Sequence, residues 1–384
     1  MKKTLATLAV LGAFAGSAVA ADVTLYGVVD LGLTYNHNDS DVAGKDATDK
    51  FEMKSGGQSG SRFGLKGVED LGNGMQVGFV LENGFSADDG RLGNNNRLFG
   101  RESQAFVRGS FGELSFGRVG QLTSGNGTYG IAGALTPFGT SWSCVQAVEG
   151  STFMVGYERF DNTITYKTPS FAGVNVYAQY SSGMDATGTE NESSANRYAA
   201  LGATFKNAGL NLVGVVDWYN WKSFEEGQNL GDIDDGYAVT LGGSYDFEVV
   251  KAYLGAQYFD NMVAKVTDKN GDTKFGFVAA AGKDIGFKQM EGYAVTAGVD
   301  APVFGGTAMF GVGYAYGEEA TDNAATQDAE FSRWGVSAGY TYALSKRTNV
   351  YGVAAYTQDK VEGMGADDRD PNNYGLSIGL RHKF

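Results

Sequence analysis

The chain has 384 residues, of which 58 are glycine and 13% are aromatic, while proline occurs 4 times and cysteine once. The formal net charge of −14 argues against nucleic acid as a partner, and a single cysteine excludes an internal disulfide. After residue 20, no helical apolar stripe of useful length and no apolar run of ~18 residues occurs. The composition therefore favours short alternating strands.

The start of the chain has the features of a secretory signal peptide. Lys2 and Lys3 give a positive start, a short apolar stretch follows, and a small-x-small cleavage site ends at Ala20. The apolar stretch is too short for a spanning helix. We expect residues 1–20 to be removed and residues 21–384 to be exported as one domain.

The exported part repeats one unit, in which an alternating strand, a tight turn and a second strand are followed by a longer polar connection. The predicted strand pairs are residues 61–68 with 75–85, 103–108 with 114–119, 159–168 with 174–180, 198–205 with 210–219, 237–247 with 251–259, 292–301 with 307–316, and 334–342 with 349–356. Single strands at residues 23–33 and 373–384 bring the predicted number to sixteen.

The last strand stops at the terminal carboxylate of an aromatic residue, Phe384. Tyr374, Leu376 and Ile378 share one face with it, while the other face is small, polar or cationic. The closing strand of a membrane barrel has this pattern, with the final aromatic at the bilayer interface. The last strand of a soluble β-protein also alternates in this way.

These patterns predict an all-β fold, a transmembrane antiparallel β-barrel of about sixteen strands. Closure follows from backbone chemistry, because hydrocarbon cannot satisfy the unpaired edges of an open sheet. The lumen of such a barrel is too wide for side chains to fill, so water fills it and small solutes pass. Short turns belong on the periplasmic side and long polar connections outside.

The connection of residues 120–158 differs from the other long ones. It is rich in Gly and Ser, and Glu149 is its one acid before Glu158, whereas residues 39–52 and 362–373 are acidic external loops. It also carries four large apolar residues, Ile131, Leu135, Phe138 and Trp142. We expect it to fold against the inside of the wall and form a constriction.

Six segments resemble the Gram-negative general porins of the neisserial and betaproteobacterial type. They are VTLYGVVD at residues 23–30, SRFGLKGVEDLG at 61–72, FGELSFGR at 111–118, NTITYKTP at 162–169, LSKRT at 344–348 and RHKF at 381–384. The resemblance implies an outer-membrane homotrimer of sixteen-stranded barrels among lipid and lipopolysaccharide, each narrowed by its third external loop. It also implies that Phe384 is recognised by the barrel assembly machinery.

Strand parity selects the residues that line the pore. In the second predicted strand, Arg62 and Lys66 face the lumen; in the sixth, Arg159 and Lys167 do so, while Phe160 faces lipid. A lipid-facing charge costs roughly 2–4 kcal/mol at the bilayer midplane, which enforces this parity.

The resemblance implies a basic cluster at the constriction, to which Arg62, Arg101 and Arg159 correspond. Arg101 and Arg118 have lipid-side parity and need a strand end or a bulge to reach the pore. Clustered arginines attract anions, and salt screens the acidic external loops beyond about 8–10 Å. We predict a weak anion preference; the alternative is that these cations are paired wall charges without a role in selectivity.

Enzymatic and metal chemistry have little support. His37 and His382 are the only histidines, and neither their number nor their spacing suits a metal cluster or a catalytic triad. We expect no enzyme activity and no cofactor, although acidic loops are also found as Ca²⁺ or Mg²⁺ ligands. The acidic loop residues concerned are Asp232, Asp234, Asp235, Asp367, Asp368 and Asp370.

Two other functions remain open from the sequence. One is a surface adhesin or antigen whose external loops bind a partner. The other is a substrate-specific channel, which would use a lumenal aromatic track and about eighteen strands. The sequence does not fix the natural solute or the pore radius.

Overall fold

The structure, a computed structural model, describes residues 23–41, 44–139, 142, 158–184, 190, 192–221, 234–263, 265–267, 273–276, 289–320, 329–363 and 368–384. The predicted signal peptide, Glu149, Asp232 and Asp367 lie outside these residues. Within the described ranges, no helix is both long enough and apolar enough to cross a membrane.

The described part of the chain contains nineteen strands. They are β1 Thr24–Asp39, β2 Thr48–Ser55, β3 Arg62–Gly72, β4 Met75–Gly84, β5 Glu102–Gly109, β6 Gly112–Gly120, β7 Arg159–Lys167, β8 Val174–Ser181, β9 Arg197–Asn207, β10 Leu210–Asn220, β11 Gly236–Asp246, β12 Lys251–Val263, β13 Lys265–Thr267, β14 Thr273–Gly276, β15 Gln289–Val303, β16 Gly306–Glu319, β17 Glu330–Ala343, β18 Thr348–Glu362 and β19 Asn372–Lys383. Two short helical turns, Gly93–Asn96 and the 3₁₀ turn Ala132–Leu135, also occur.

The strands form one closed antiparallel barrel. β1 pairs with β19 from Val28–Lys383 to Asp39–Asn372, and the backbones of Gly27 and Phe384 exchange two hydrogen bonds of 3.1 Å. Closure leaves no unpaired sheet edge, as hydrocarbon requires.

The wall has sixteen strand positions within the described residues, as the sequence predicts. β2 and β3 share one position, because β2 pairs with the outer half of β1 and β3 with its inner half. β13 and β14 form a separate hairpin outside the wall. The predicted strand pairs are confirmed, with boundaries shifted by a few residues.

The two ends of the barrel have different connections. Seven short turns, such as the one between β3 and β4, lie at the same end as the chain termini. In that turn Asn73 and Gly74 have φ values of 53° and 75°, a backbone conformation that Asn and Gly tolerate best. The long connections lie at the other end, so short turns mark the periplasmic side.

The acidic stretch after β1 is only partly the loop that the sequence predicts. β2, Thr48–Ser55, extends within it and pairs with β1. Both faces of β2 are largely exposed, Phe51 and Met53 included. Its charged residues alternate with apolar ones, so the strand continues where composition alone indicates a loop.

The two faces of the wall have opposite chemistry. Leu241 and Leu254, on the outer face, are 58% and 65% exposed. Thr240 and Gln257, their neighbours on the inner face, are buried and joined by a 2.9 Å hydrogen bond. The barrel is therefore apolar outside and polar within.

Leu241→Arg is expected to destabilise the barrel by about 2–4 kcal/mol, because it places a cation in the lipid near the middle of β11. Urea unfolding of the protein refolded in lipid vesicles measures this loss. The matched variant Leu241→Met leaves the face apolar and should remain close to the native stability. Equal stability of the two variants would mean that Leu241 does not face lipid.

Candidate functional site

The connection after β6 lies inside the barrel over its described residues. Leu122, Tyr129 and Leu135 are buried in one apolar cluster with Val213 and Val215 on the inner face of β10. The 3₁₀ turn packs against β10, β11 and β12. We call residues 121–139 and Trp142 the inner loop. Apolar burial holds the first half of the inner loop against the wall.

The inner loop continues to the far wall. Phe138 and Trp142 share a second buried cluster with Met309 of β16 and with Tyr351 and Val353 of β18. The ring centroids of Trp142 lie 5.7 Å from Phe138 and 5.5 Å from Tyr351, both edge-to-face. The segment therefore runs along the inside of the wall from β10 to β18.

Glycines on the inner face leave room for the inner loop. A Cβ atom added to Gly298 of β15 would lie 2.6 Å from Cδ of Pro137, and one added to Gly339 of β17 would lie 2.9 Å from Cε1 of Phe138. Both distances are below van der Waals contact, so any side chain at these positions must displace the inner loop.

Buried carboxylates of the wall anchor the same segment. The Thr123 hydroxyl and the Tyr198 hydroxyl donate to Asp217 of β10, the latter at 2.5 Å. The backbone N–H of Thr128 donates to Glu102 of β5 at 3.2 Å. Sequence reasoning missed both acids, although each has inward parity within an alternating strand. Removing such a partner leaves a buried charge unsatisfied, which makes these contacts strong anchors.

A group of basic residues lies on the inner wall near β3–β5. Nε of Arg101 donates to Glu82 at 2.7 Å, and Nε of Arg62 lies 3.7 Å from the same carboxylate. The Tyr26 hydroxyl also donates to Glu82, at 3.0 Å. Arg101 precedes β5, so the strand end brings it inward despite its parity. Two arginines thus share one acid.

Arg159 faces the inner loop from the first residue of β7. Its Nη2 donates to Oδ1 of Asn126 at 3.0 Å, and its buried Nε has no hydrogen-bond partner among the described residues. The guanidinium groups of Arg101 and Arg118 repel it electrostatically. Beside it, burial raises the pKa of Glu158, against the opposing effect of Arg159 and Arg118.

Arg118 lies opposite a β-bulge in the neighbouring strand β7. Gly117 has φ of 135°, and the register between β6 and β7 shifts between Gly117 and Val119. The extra residue lies in β7, where Asp161 and Asn162 together oppose Arg118, and Nη1 of Arg118 donates to Asp161 at 2.7 Å. Arg97, from the connection after β4, binds Asp161 as well, at 2.7 Å. Arg118 is therefore one member of an Arg–Asp–Arg bridge.

The prediction that Phe160 faces lipid is wrong. Phe160 is 1% exposed and its ring lies 4.7 Å from that of Tyr198, on the lumenal side. Asn162 has φ of 53° and belongs to the bulge, whose extra residue shifts the alternation of β7 by one position. Ile164 and Tyr166, beyond the irregularity, keep the predicted outward direction.

Of the remaining predicted residues, Lys66 adjoins this group through Tyr26. Lys66 lies over the ring of Tyr26 at 5.2 Å, and Lys167, at the short-turn end of β7, lies over Tyr177 at 5.7 Å. The ring of Phe384 covers Gly27 beside the barrel seam. Glu149 falls outside the described residues, so its place at the constriction stays a prediction.

Other charged residues of the described part are paired or dispersed. Arg333 of β17 and Asp359 of β18 form a buried bidentate ion pair, with contacts of 2.6 and 2.8 Å. In the described ranges, no three His, Cys, Asp or Glu residues converge as metal ligands would. Arg62, Arg101 and Arg159, which we call the arginine group, are therefore the candidate determinants of ion passage.

The arrangement divides the lumen. Apolar packing fills the side of β10–β18, where the inner loop lies, and arginines border the side of β3–β7. On the side of the arginines, Arg62 and Arg101 share Glu82. Clustered arginines of this kind attract anions in channels.

The known proteins that this chain resembles are porins. The family model described as Gram-negative porin matches residues 6–362. The chain is 35% identical to an outer membrane porin protein of Bordetella pertussis and 31% identical to outer membrane porin protein 32 of Delftia acidovorans, with full coverage of each pair. A solved anion-selective porin from Comamonas acidovorans is similar in fold, with a TM-score of 0.66 and 25% identity over 95% of this chain and 100% of that one.

Proposed function

Because this chain belongs to the Gram-negative porin family and forms a diffusion channel for small hydrophilic solutes and ions in the outer membrane, we propose that its constriction prefers anions weakly. The observation that supports this preference is the close grouping of Arg62, Arg101 and Arg159. Arg62 and Arg101 share Glu82, while Arg159 binds the neutral side chain of Asn126. The solved relative from Comamonas acidovorans is titled anion-selective.

The preference is weak because the arginines are partly neutralised. Glu82 lies within 4 Å of two of them, and Asp161 neutralises Arg118 and Arg97. A unit charge ~8 Å from an ion in water contributes about 0.5 kcal/mol, roughly a twofold change in ion occupancy. A small uncompensated excess therefore biases the current without excluding cations.

The reversal potential of the purified protein in planar bilayers under a potassium chloride gradient tests this proposal. The expected result is a chloride-to-potassium permeability ratio above one that declines as salt rises, because salt screens the arginines. A ratio below one would overturn the anion preference and leave the channel function intact. Liposome swelling with neutral sugars should show a smooth size cutoff, as in a general pore.

We propose three further associations, which rest on the family and on Phe384. The channel assembles as a homotrimer, its outer face contacts membrane lipid and lipopolysaccharide, and the barrel assembly machinery recognises the C-terminal strand. Phe384 supports the last of these, because its side chain is 45% exposed at the barrel seam. Phe384→Ala keeps the backbone pairing with Gly27 and should lower the yield in the outer membrane. Unchanged yield would exclude that role.

A further inference from the structure

Asp30 is a fully buried carboxylate on the lumenal face of β1. Its Oδ2 accepts the backbone N–H groups of Ser59, at 2.6 Å, and Gln58, at 3.0 Å. Its Oδ1 accepts the hydroxyl of Tyr351 at 2.7 Å. Neither the diffusion function nor the arginine group described above accounts for this acid.

The N–H groups that Asp30 binds belong to the break between β2 and β3, which we call the inner bend (residues 56–61). The N–H of Gly56 donates to the carbonyl of Asp30 at 2.9 Å, and the hydroxyl of Ser61 donates to the same carbonyl at 3.1 Å. Nδ2 of Asn349 donates to Gln58 at 2.7 Å. The inner bend is thus folded onto a single residue of β1.

The inner bend in turn contacts the arginines. Nη1 of Arg62 donates to the carbonyl of Gly60 at 2.9 Å. A Cβ atom added to Gly60 would lie 3.0 Å from Nη1 of Arg101. The backbone of Gly60 therefore holds the guanidinium of Arg62 and lies against that of Arg101.

Asp30 also reaches the inner loop. The ring of Tyr351, whose hydroxyl binds Asp30, is the edge-to-face partner of Trp142. Asp30 thus joins the inner bend to Tyr351 of β18, and Tyr351 in turn contacts Trp142 of the inner loop.

We infer that Asp30 is a positioning residue for ion selectivity, which holds the inner bend so that Gly60 fixes Arg62 and Arg101 toward the ion path. The inference adds a residue that supports the proposed anion preference, and it rests on that proposal. Its effect is read as a change relative to the native channel, so it can be measured whatever the native ratio is.

Asp30→Asn separates positioning from charge by the sign of its effect. The amide keeps the volume but replaces one carboxylate oxygen with an NH2 group and removes the charge, which weakens the hydrogen bonds to the inner bend and to Tyr351. If Asp30 positions the arginines, the chloride-to-potassium permeability ratio falls, by about twofold, although a negative charge has been removed. A pure charge effect raises the ratio. An unchanged or raised ratio would overturn the inference.

A double-mutant cycle with Arg62→Gln identifies the route of the effect. Arg62→Gln should lower the ratio in the native channel and change it much less in the Asp30→Asn channel. Independent effects of the two substitutions would contradict positioning through Arg62. Thr34→Val is the matched control, because Thr34 is also buried on the lumenal face of β1 but binds Ser377 of β19. This control should leave the ratio unchanged.

Failure of this inference is distinguishable from failure of the proposed function. A native ratio below one overturns the anion preference. A native ratio above one that Asp30→Asn leaves unchanged or raises overturns positioning alone. Heat-induced dissociation in detergent, followed by gel mobility, verifies that every variant is a folded barrel.

Discussion

Replacing Arg62, Arg101 and Arg159 together with glutamine is expected to abolish the anion preference and make the channel cation-selective. The substitutions remove three positive charges and leave Glu82 and Glu102 on the inner wall. At roughly twofold per charge ~8 Å from the ion path in water, the chloride-to-potassium permeability ratio falls up to about tenfold. The reversal potential under a salt gradient measures this change.

A matched triple variant controls for the loss of charge itself. Lys206, Lys346 and Arg347 lie exposed in or beside short turns at the periplasmic end. Their replacement with glutamine removes the same charge from the periplasmic end of the barrel, away from Arg62, Arg101 and Arg159. This variant should keep the native permeability ratio. If both triple variants behave alike, the arginine group does not determine selectivity.

Placing leucine at both Gly298 and Gly339 is expected to reduce single-channel conductance by at least about half. A Cβ at these positions would lie 2.6 Å from Pro137 and 2.9 Å from Phe138, whereas apolar atoms in contact lie about 4 Å apart. The leucine side chains therefore push the rings of Pro137 and Phe138 away from the wall and toward the ion path. Conductance in planar bilayers, with polymers of graded size as blockers, measures the narrower aperture.

Gly352→Leu on β18 is the control for this variant. Gly352 has outward parity, and the nearest atom to an added Cβ is 3.8 Å away. The substitution adds the same side chain to the opposite face of the wall, and conductance should stay at the native value. Native conductance in the Gly298 and Gly339 variant would show that the inner loop does not lie against β15 and β17.

Strand parity predicts most of the wall because lipid and water impose opposite chemistry on its two faces. It correctly places Arg62 and Lys66 inward on β3, where no irregularity intervenes. It fails at Phe160, since one bulge and the positive φ of Asn162 reverse the alternation. A single glycine or asparagine in a strand does not reveal from sequence whether its φ is positive. Local irregularity therefore limits such predictions at the constriction.

The acidic partners of the site could have been predicted from the sequence, but they were missed. Glu82, Glu102 and Asp217 have inward parity in otherwise alternating strands. A search for inward acids in every strand finds them, but it does not show that Glu82 serves two arginines. That pairing depends on the barrel register and on the inner bend, both of which arise from contacts distant in sequence. The role of Asp30 has the same origin, because its partners come from β18 and from the inner bend.

The single-channel conductance of the detergent-purified native protein in planar bilayers tests most directly whether the barrel encloses a water-filled passage. We expect an ohmic conductance that rises in proportion to the conductivity of the bulk salt and closes in three equal steps under high voltage. A protein that inserts yet carries no current, or whose current saturates at low salt, would contradict a water-filled barrel narrowed by the inner loop.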